Sequence, residues 1–330
     1  MVSSHYSLDR QSNSVPASGP SQAEALACPL IWLPKKQGLI QSQVSLRERT
    51  SFRVGGAAQW YASPTDVEGL QAAVSWARAQ DVPVTLLGAG SNLLVSDGGL
   101  SGLVVCTRHL NGTHFDSTTG QVTVAAGESL VRLAWQAAKM GWRGLEWMVG
   151  IPGTVGGATV MNAGAHGSCM ADILVEAEVL EPDGNCQVYT TEDLSYQYRR
   201  SILQGSDRVV TQTTLQLQPG FDPQCVVAET ADQLRQRRHS QPYHRPSCGS
   251  VFRNRYPYAA GWLIEQTGLK GYQIGQAQVA QRHANFILNC GKASASDILR
   301  LIRHVQEQVA NHWSVELQPE VKILGEFQIV

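Results

Sequence analysis

Gly150-Ile151-Pro152-Gly153-Thr154-Val155-Gly156-Gly157 sets four glycines among eight residues and runs through Ala158–Met161 into Asn162-Ala163-Gly164-Ala165. That glycine density weakens any helix or strand, so the stretch is expected to exist for backbone shape. No Gly-Lys-Ser/Thr follows, which excludes a Walker A loop. A structural bend and a ligand-binding loop both fit it.

A second loop stands upstream, where Gly88-Ala89-Gly90-Ser91-Asn92 follows the strand-like run Pro83–Leu87. Glycines there let the backbone take positive φ and let a ligand approach, and successive N–H groups can form an anion nest. Ser91 and Asn92 add side-chain donors. The loop is not a Rossmann fingerprint, because Leu93 stands where the third glycine belongs and no helical pattern opens. An ordinary tight turn would explain it alone. Two such loops in one half of the chain favour an extended pyrophosphate cofactor.

Around these loops the chain reads as an ordinary globular protein. Apolar residues make up 43% and charged residues 16% of 330, enough for two or three packed domains and unlike a disordered chain. A net charge of −1 excludes a global pull toward nucleic acid or an acidic membrane. The apolar stretch Ala25–Leu33 is short and carries Pro29, so it does not read as a membrane span, and the Ser-rich start lacks a secretory apolar run. Seven scattered cysteines without a C-x-x-C pair argue against a disulfide framework or a structural zinc site. No metal site and a reducing cytoplasm are therefore expected. Nothing sets the oligomeric state; a monomer is the expectation.

Several elements are legible. Thr65 and Glu68 match a capping box, and Val67, Leu70, Val74 and Ala77 follow at helical spacing. A helix is expected over Glu128–Met140, stopped by Gly141. Ser294 and Asp297 match another capping box, with Ile298, Leu301, Ile302, Val305 and Val309 as the apolar face. After Pro219-Gly220 the chain turns Arg- and Gln-rich and more helical, which marks a candidate boundary. The expected division is a flexible extension over 1–35, two cofactor-binding subdomains over 36–105 and 106–219, a substrate domain over 220–318, and a segment returning to the active site over 319–330.

Thr50-x-x-x-Val54-Gly55-Gly56, Gly88-x-Gly-Ser-Asn92 and the Gly150–Gly157 loop with Asn162-Ala-Gly164 occur in this order in the UDP-N-acetylenolpyruvoylglucosamine reductases, which the chain resembles over residues 36–327. The resemblance implies an α+β fold: a two-subdomain FAD-binding fold of the vanillyl-alcohol-oxidase type plus a C-terminal α+β substrate-binding domain. It implies that Gly88–Asn92, Gly150–Thr154, Gly156, Gly157, Asn162 and Gly164 hold FAD non-covalently. His166 reads as a surface or turn residue.

The same resemblance places three catalytic residues. Tyr198-Arg199-Arg200-Ser201 matches the family's Tyr-Arg-x-Ser, Gly249-Ser250-Val251-Phe252-Arg253-Asn254 its Gly-Ser-x-Phe-Lys/Arg-Asn, and Leu317-Gln318-Pro319-Glu320-Val321 its Leu-x-Pro-Glu-Val. In the family NADPH reduces FAD and leaves, and flavin N5 then delivers hydride to the β-carbon of UDP-N-acetylglucosamine enolpyruvate, completing UDP-N-acetylmuramate for peptidoglycan precursor synthesis. Arg199 then stabilises charge developing on the carboxylate, Ser250 protonates the α-carbon, and Glu320 assists. Two bare carboxylates would repel, so Glu320 is expected to have a raised pKa. Each residue taken alone reads as a surface arginine, a turn serine or a helix-exit charge. The ordered set reverses that.

Six arginines (Arg235, Arg237, Arg238, Arg245, Arg253, Arg255) and two histidines crowd Gln233–Arg255 without an acid. A solvated basic face and a subsite for an anionic UDP-sugar or NADPH both fit. Sparse aromatic interleaving disfavours nucleic acid. The resemblance adds Tyr198, Arg238, Asn254 and His283 as substrate ligands. Arg255 stands where the family has proline, and Phe252–Ile264 is too short for the tyrosine-bearing lid of one subgroup, which points to the lidless subgroup. Another FAD oxidoreductase of the same fold, acting on a sugar or alcohol, would share the loops without the three catalytic residues. A non-catalytic nucleotide-binding protein is the third reading.

Overall fold

A computed structural model describes residues 30–33 and 38–327. The chain opens with β1 (Leu30–Trp32), β2 (Leu39–Ser45), β3 (Ala57–Ala62), α1 (Val67–Ala79), β4 (Val84–Leu87), β5 (Leu93–Val95) and β6 (Leu100–Cys106). All but β5 of these strands make one sheet in the order β1-β2-β3-β6-β4, with β6 parallel to both neighbours. Leu70, Ala73 and Ala77 of α1 are buried with Leu103 and Val105 of β6. Helical spacing thus named the correct face. Its cap lies one residue later than the Thr65 reading: Asp66 Oδ1 accepts from Gly69 N at 2.7 Å. An aspartate directly before the first turn outcompetes a hydroxyl one residue further out.

Leu30–Trp32, expected to belong to the extension, is a strand paired antiparallel with β2. The remainder of that expected extension, 1–29 and 34–35, lies outside the described residues. Edge pairing needs only main-chain groups and one inward side chain, so it left little mark in the sequence.

The middle of the chain supplies β7 (Thr113–Asp116), β8 (Gln121–Ala125), α2 (Leu130–Lys139), α3 (Val155–Met161), the small hairpin β9 (Gly164–Ala165) and β10 (Ser168–Cys169), then β11 (Leu174–Leu180), β12 (Cys186–Thr190) and β13 (Val209–Gln216). Five of these strands form an antiparallel sheet, β12-β11-β13-β8-β7. α2 matches the expected helix; Ser129 caps it and Gly141 follows at φ +71°, as a helix stop requires. Leu130, Leu133, Ala134 and Ala137 pack with Val122, Val124 and Trp142.

Asp222 and Pro223 open α4 (Pro223–Ser240), next to the composition change at residue 220. α5 (Ala260–Gln266), the three-stranded sheet β14 (Gln273–Ile274), β15 (Ala277–Val279) and β16 (Ile287–Asn289), and α6 (Ala295–Trp313) follow. The Ser294–Asp297 capping box is present, and all five residues of the expected apolar face are buried. They pack against Leu263, Ile264, Val279 and Ile287 in a cluster that also takes in Phe52, Val54 and Leu94 from the first part of the chain. Asp97, from the turn between β5 and β6, adds a further cap to α6, accepting from Ala295 N at 2.8 Å and Ser296 N at 2.9 Å.

Last comes β17 (Lys322–Leu324), which pairs parallel with β5. This return sets Glu320 against the first glycine loop. No helix among the described residues is long and apolar enough to cross a membrane.

Candidate active site

A cavity of about 660 Å³ is walled by both glycine loops, residues 198–199 and 203–210, the turn around Ser250, and Glu320 with Lys322. The first loop leaves β4 and enters β5. Gly90 sits at φ +66°, and a Cβ there would lie 2.1 Å from Arg49 O. The loop is pinned by Ser51 N donating to Gly90 O at 2.9 Å. Among the described residues, the N–H groups of Ala89, Gly90, Ser91 and Asn92 donate to no acceptor in the chain. Four such donors on a cavity wall suit a diphosphate.

The second loop touches the first: a Cβ on Gly88 would meet Thr154 Oγ1 at 2.7 Å. Thr154 also caps α3 by accepting from Gly157 N at 3.4 Å. Here the structure corrects the expectation that Gly150–Gly157 is all loop, since Val155–Met161 is helical. Gly156 serves close packing, because a Cβ there would meet that of Ala126 at 2.7 Å. Asn162 ends α3 at φ +43°, its side chain bonded to Ala171 N and Gln197 O at 3.0 Å each. Gly164 enters the β9–β10 hairpin, whose exposed turn holds His166, as expected of a lone histidine. Ile151, Pro152 and Gly153 line the cavity, whereas Gly150 is not among its walls. A Cβ on Gly150 would strike Arg237. The donor set and the room fit FAD.

Arg199, Ser250 and Glu320 meet at this cavity. Arg199 occupies a tight turn at φ +56°, closed by reciprocal bonds between Gln197 and Arg200. Its guanidinium donates to the carbonyls of Asn162 and Gly164, and its Nε lies 3.3 Å from Glu320 Oε1. The loop behind α3 thereby aims the arginine. Tyr198 is half-exposed, its ring 5.0 Å from the Arg199 guanidinium carbon.

The Ser250 turn is held by Asn285, whose side chain bonds Phe252 N at 2.9 Å and Phe252 O at 2.8 Å. Glu320 N donates to Val251 O at 2.7 Å, so the glutamate is tied to the residue next to Ser250. Among the described residues Ser250 Oγ has no hydrogen-bond partner in the chain. Burial pushes the Glu320 carboxyl above the ordinary glutamate range, against the pull of Arg199 and Arg253. That direction agrees with the sequence expectation. Cys248 is buried on the cavity wall, and burial pushes its thiol up.

The remaining expected ligands divide. Asn254 lines the cavity, its Oδ1 accepting from Ala260 N at 3.0 Å. Arg238 is exposed on α4 and is not among the cavity walls; its neighbour Arg237 is. Successive helical residues point about 100° apart, so only one of the two adjacent arginines faces the cavity. Arg237 Nε donates to Tyr243 Oη at 3.0 Å, and Tyr243 Oη donates to Gly150 O at 2.9 Å. His283 is not brought to the cavity; it packs edge-on to Phe286, with Nδ1 buried and without a partner among the described residues, and burial pushes its pKa down.

Lys322 is a wall residue that sequence reasoning missed. Its Nζ donates to Gln204 Oε1 at 3.1 Å, and burial lowers its pKa, aided by Arg253 and Arg200. A basic residue two positions after Glu320 in an extended segment shares its side, which was the available signal. Arg255 closes a reciprocal turn with Tyr258, and α5 begins at Ala260, so no lid fits there.

Comparisons with known proteins now bear on this geometry. The family described as UDP-N-acetylenolpyruvoylglucosamine reductase, C-terminal domain, matches residues 241–324, and an FAD binding domain family matches 58–190. A Nostoc punctiforme protein named UDP-N-acetylenolpyruvoylglucosamine reductase is 64% identical over 299 residues, covering 91% of this chain and 90% of its own. A Synechocystis protein of the same name is 53% identical over 314 residues, with 94% and 98% covered. The crystal structure of UDP-N-acetylenolpyruvylglucosamine reductase from Thermus caldophilus matches with a TM-score of 0.74 at 36% identity, covering 86% of this chain and 98% of that one.

Proposed function

The chain belongs to the UDP-N-acetylenolpyruvoylglucosamine reductases, FAD-dependent oxidoreductases of peptidoglycan precursor synthesis, and on that premise we propose that it uses NADPH to reduce UDP-N-acetylglucosamine enolpyruvate to UDP-N-acetylmuramate. Its fold is α+β, an FAD-binding fold of two subdomains of the vanillyl-alcohol-oxidase type followed by a C-terminal α+β domain. The reading includes the division at 36–105, 106–219, 220–318 and 319–330, and a monomer working in the cytoplasm.

FAD, when bound, supplies the hydride that reaches the enolpyruvyl β-carbon. The N–H groups of Ala89–Asn92 and the walls from Ile151 to Gly157 would hold its diphosphate. Arg199 receives the substrate carboxylate, on which negative charge develops as the β-carbon gains hydrogen. Its guanidinium is already oriented by two carbonyls, so little reorganisation is needed when that charge appears. Glu320 can assist only as a donor, and the raised pKa that burial gives it supports a protonated form. Ser250 passes its hydroxyl proton to the α-carbon and regains one from solvent. Tyr198, Asn254 and Arg237 are the wall residues suited to the sugar and diphosphate. Arg238 and His283 would act only if they moved.

One observation carries the reading. Three side chains from three separated motifs converge on a single cavity that both glycine loops also wall. Anaerobic mixing tests it: the flavin-loaded protein is reduced with NADPH and challenged with the enolpyruvyl UDP-sugar. Rapid flavin reoxidation by that sugar is expected. Failure of the sugar, or equal reoxidation by carbonyl products of simple alcohols, would overturn it.

A further inference from the structure

Asn92 ends the first glycine loop, and its side chain is bonded outside that loop. Its Nδ2 donates to the main-chain oxygen of Glu320 at 3.1 Å, across 228 residues of sequence. Its own carbonyl accepts from Lys322 N at 3.0 Å. The amide also lies 4.0 Å from Met161 Sδ. Asn92 therefore brackets Glu320 from one side, and the parallel β5–β17 pairing begins at the next residue. On the other side Glu320 N is bonded to Val251 O at 2.7 Å.

We propose that Asn92 is a positioning residue: its side-chain amide fixes the backbone of Glu320, and so places the carboxyl between Arg199 and the Ser250 turn. The inference rests on the role given to Glu320 above. The carboxyl's contact with Arg199 spans 3.3 Å, too long for a strong charge-assisted hydrogen bond. Its place is set mainly through the main chain. Asparagine suits the task because it carries a neutral N–H donor of the right reach. Aspartate would turn an acceptor toward the Glu320 carbonyl and add negative charge beside the carboxyl; alanine would leave that carbonyl without its partner. Because Asn92 also belongs to the loop assigned to the cofactor, displacement of that loop is transmitted to Glu320.

Asn92→Ala and Asn92→Asp, each loaded with FAD, test this. Flavin absorbance after gel filtration reads cofactor retention, and stopped flow reads reduction by NADPH and reoxidation by the enolpyruvyl UDP-sugar. Reoxidation is expected to fall about 10- to 100-fold further than reduction does, the effect of a small misplacement of Glu320. In Asn92→Asp the pH above which reoxidation fails should also rise, since the added carboxylate holds the Glu320 proton more tightly. Adding Asn92→Ala to Glu320→Ala should cost little more than Glu320→Ala alone, since no donor is then left to position. Unchanged reoxidation would overturn the inference. Flavin lost from both variants, all three readouts falling together, or losses that multiply in the double variant would do the same, because Asn92 would then act through the cofactor loop. If the sugar fails to reoxidise the unmodified protein, the reading of the site falls and takes this inference with it.

Discussion

Arg199 Nε and Glu320 Oε1 lie 3.3 Å apart, with both side chains about four-fifths buried, and the carboxyl still holds its proton more tightly than an ordinary glutamate. Loss of water on burial outweighs the opposing pull of Arg199 and Arg253.

The pH dependence of stability follows. With the folded pKa raised above the unfolded one, the protonated carboxyl contributes stability fully below the unfolded pKa, and that contribution is lost as pH rises through the folded pKa. Glu320→Gln removes the titration. Its stability relative to the unmodified protein should climb with pH across that window and then level off. Urea midpoints from acid to neutral pH check this; parallel curves would contradict it.

Ser250→Ala should keep flavin reduction by NADPH and lose about 10²–10³-fold in reoxidation by the enolpyruvyl sugar. Single-turnover absorbance of each half-reaction separates the two. Equal losses would remove Ser250 from the proton-donor role.

Gly90→Ala places a Cβ 2.1 Å from Arg49 O in a backbone at φ +66°. Strain alone amounts to about 1–3 kcal/mol, and the clash moves the loop. A lowered unfolding midpoint and loss of bound FAD are expected. Gly167→Ala is the control, having φ +86° but nothing within 4 Å; its effect should be smaller and leave FAD in place.

Asp97→Ala removes acceptors from Ala295 N, Ser296 N and Ser296 Oγ. A loss of about 1 kcal/mol is expected, with faster amide exchange in the first turn of α6. Unchanged exchange there would mean that the Ser294–Asp297 box caps the helix without help.

The sequence disclosed features that depend on near neighbours. Ser294 with Asp297, Gly141 after α2 and the buried stripe of α6 were all readable because period and capping are local. The three catalytic candidates were readable only as an ordered set, and the fold supplies their convergence. Other features depended on partners far along the chain. Nothing near Leu30–Trp32 announces β2, and Gly156 of α3 looks like loop until Ala126 is placed beside it. Arg237 and Arg238 are indistinguishable until α4 turns one of them inward. The side-chain bond of Asn92 to Glu320 was equally hidden, since a glycine-loop asparagine reads as a cofactor donor.

The pairing of β17 with β5 also bears on how the enzyme matures during synthesis. Strands β1 to β13 and both glycine loops precede residue 217, so the ribosome releases them first, and domains generally fold in that order. A nascent chain can therefore assemble the cofactor loops while Glu320 is still untranslated. On the proposed role of Glu320, catalytic competence waits for Lys322–Leu324 to find Leu93–Val95, a closure of long sequence separation that belongs late in folding. Flavin capture and activity should thus arise at different times in a translation reaction, colour first and turnover afterwards.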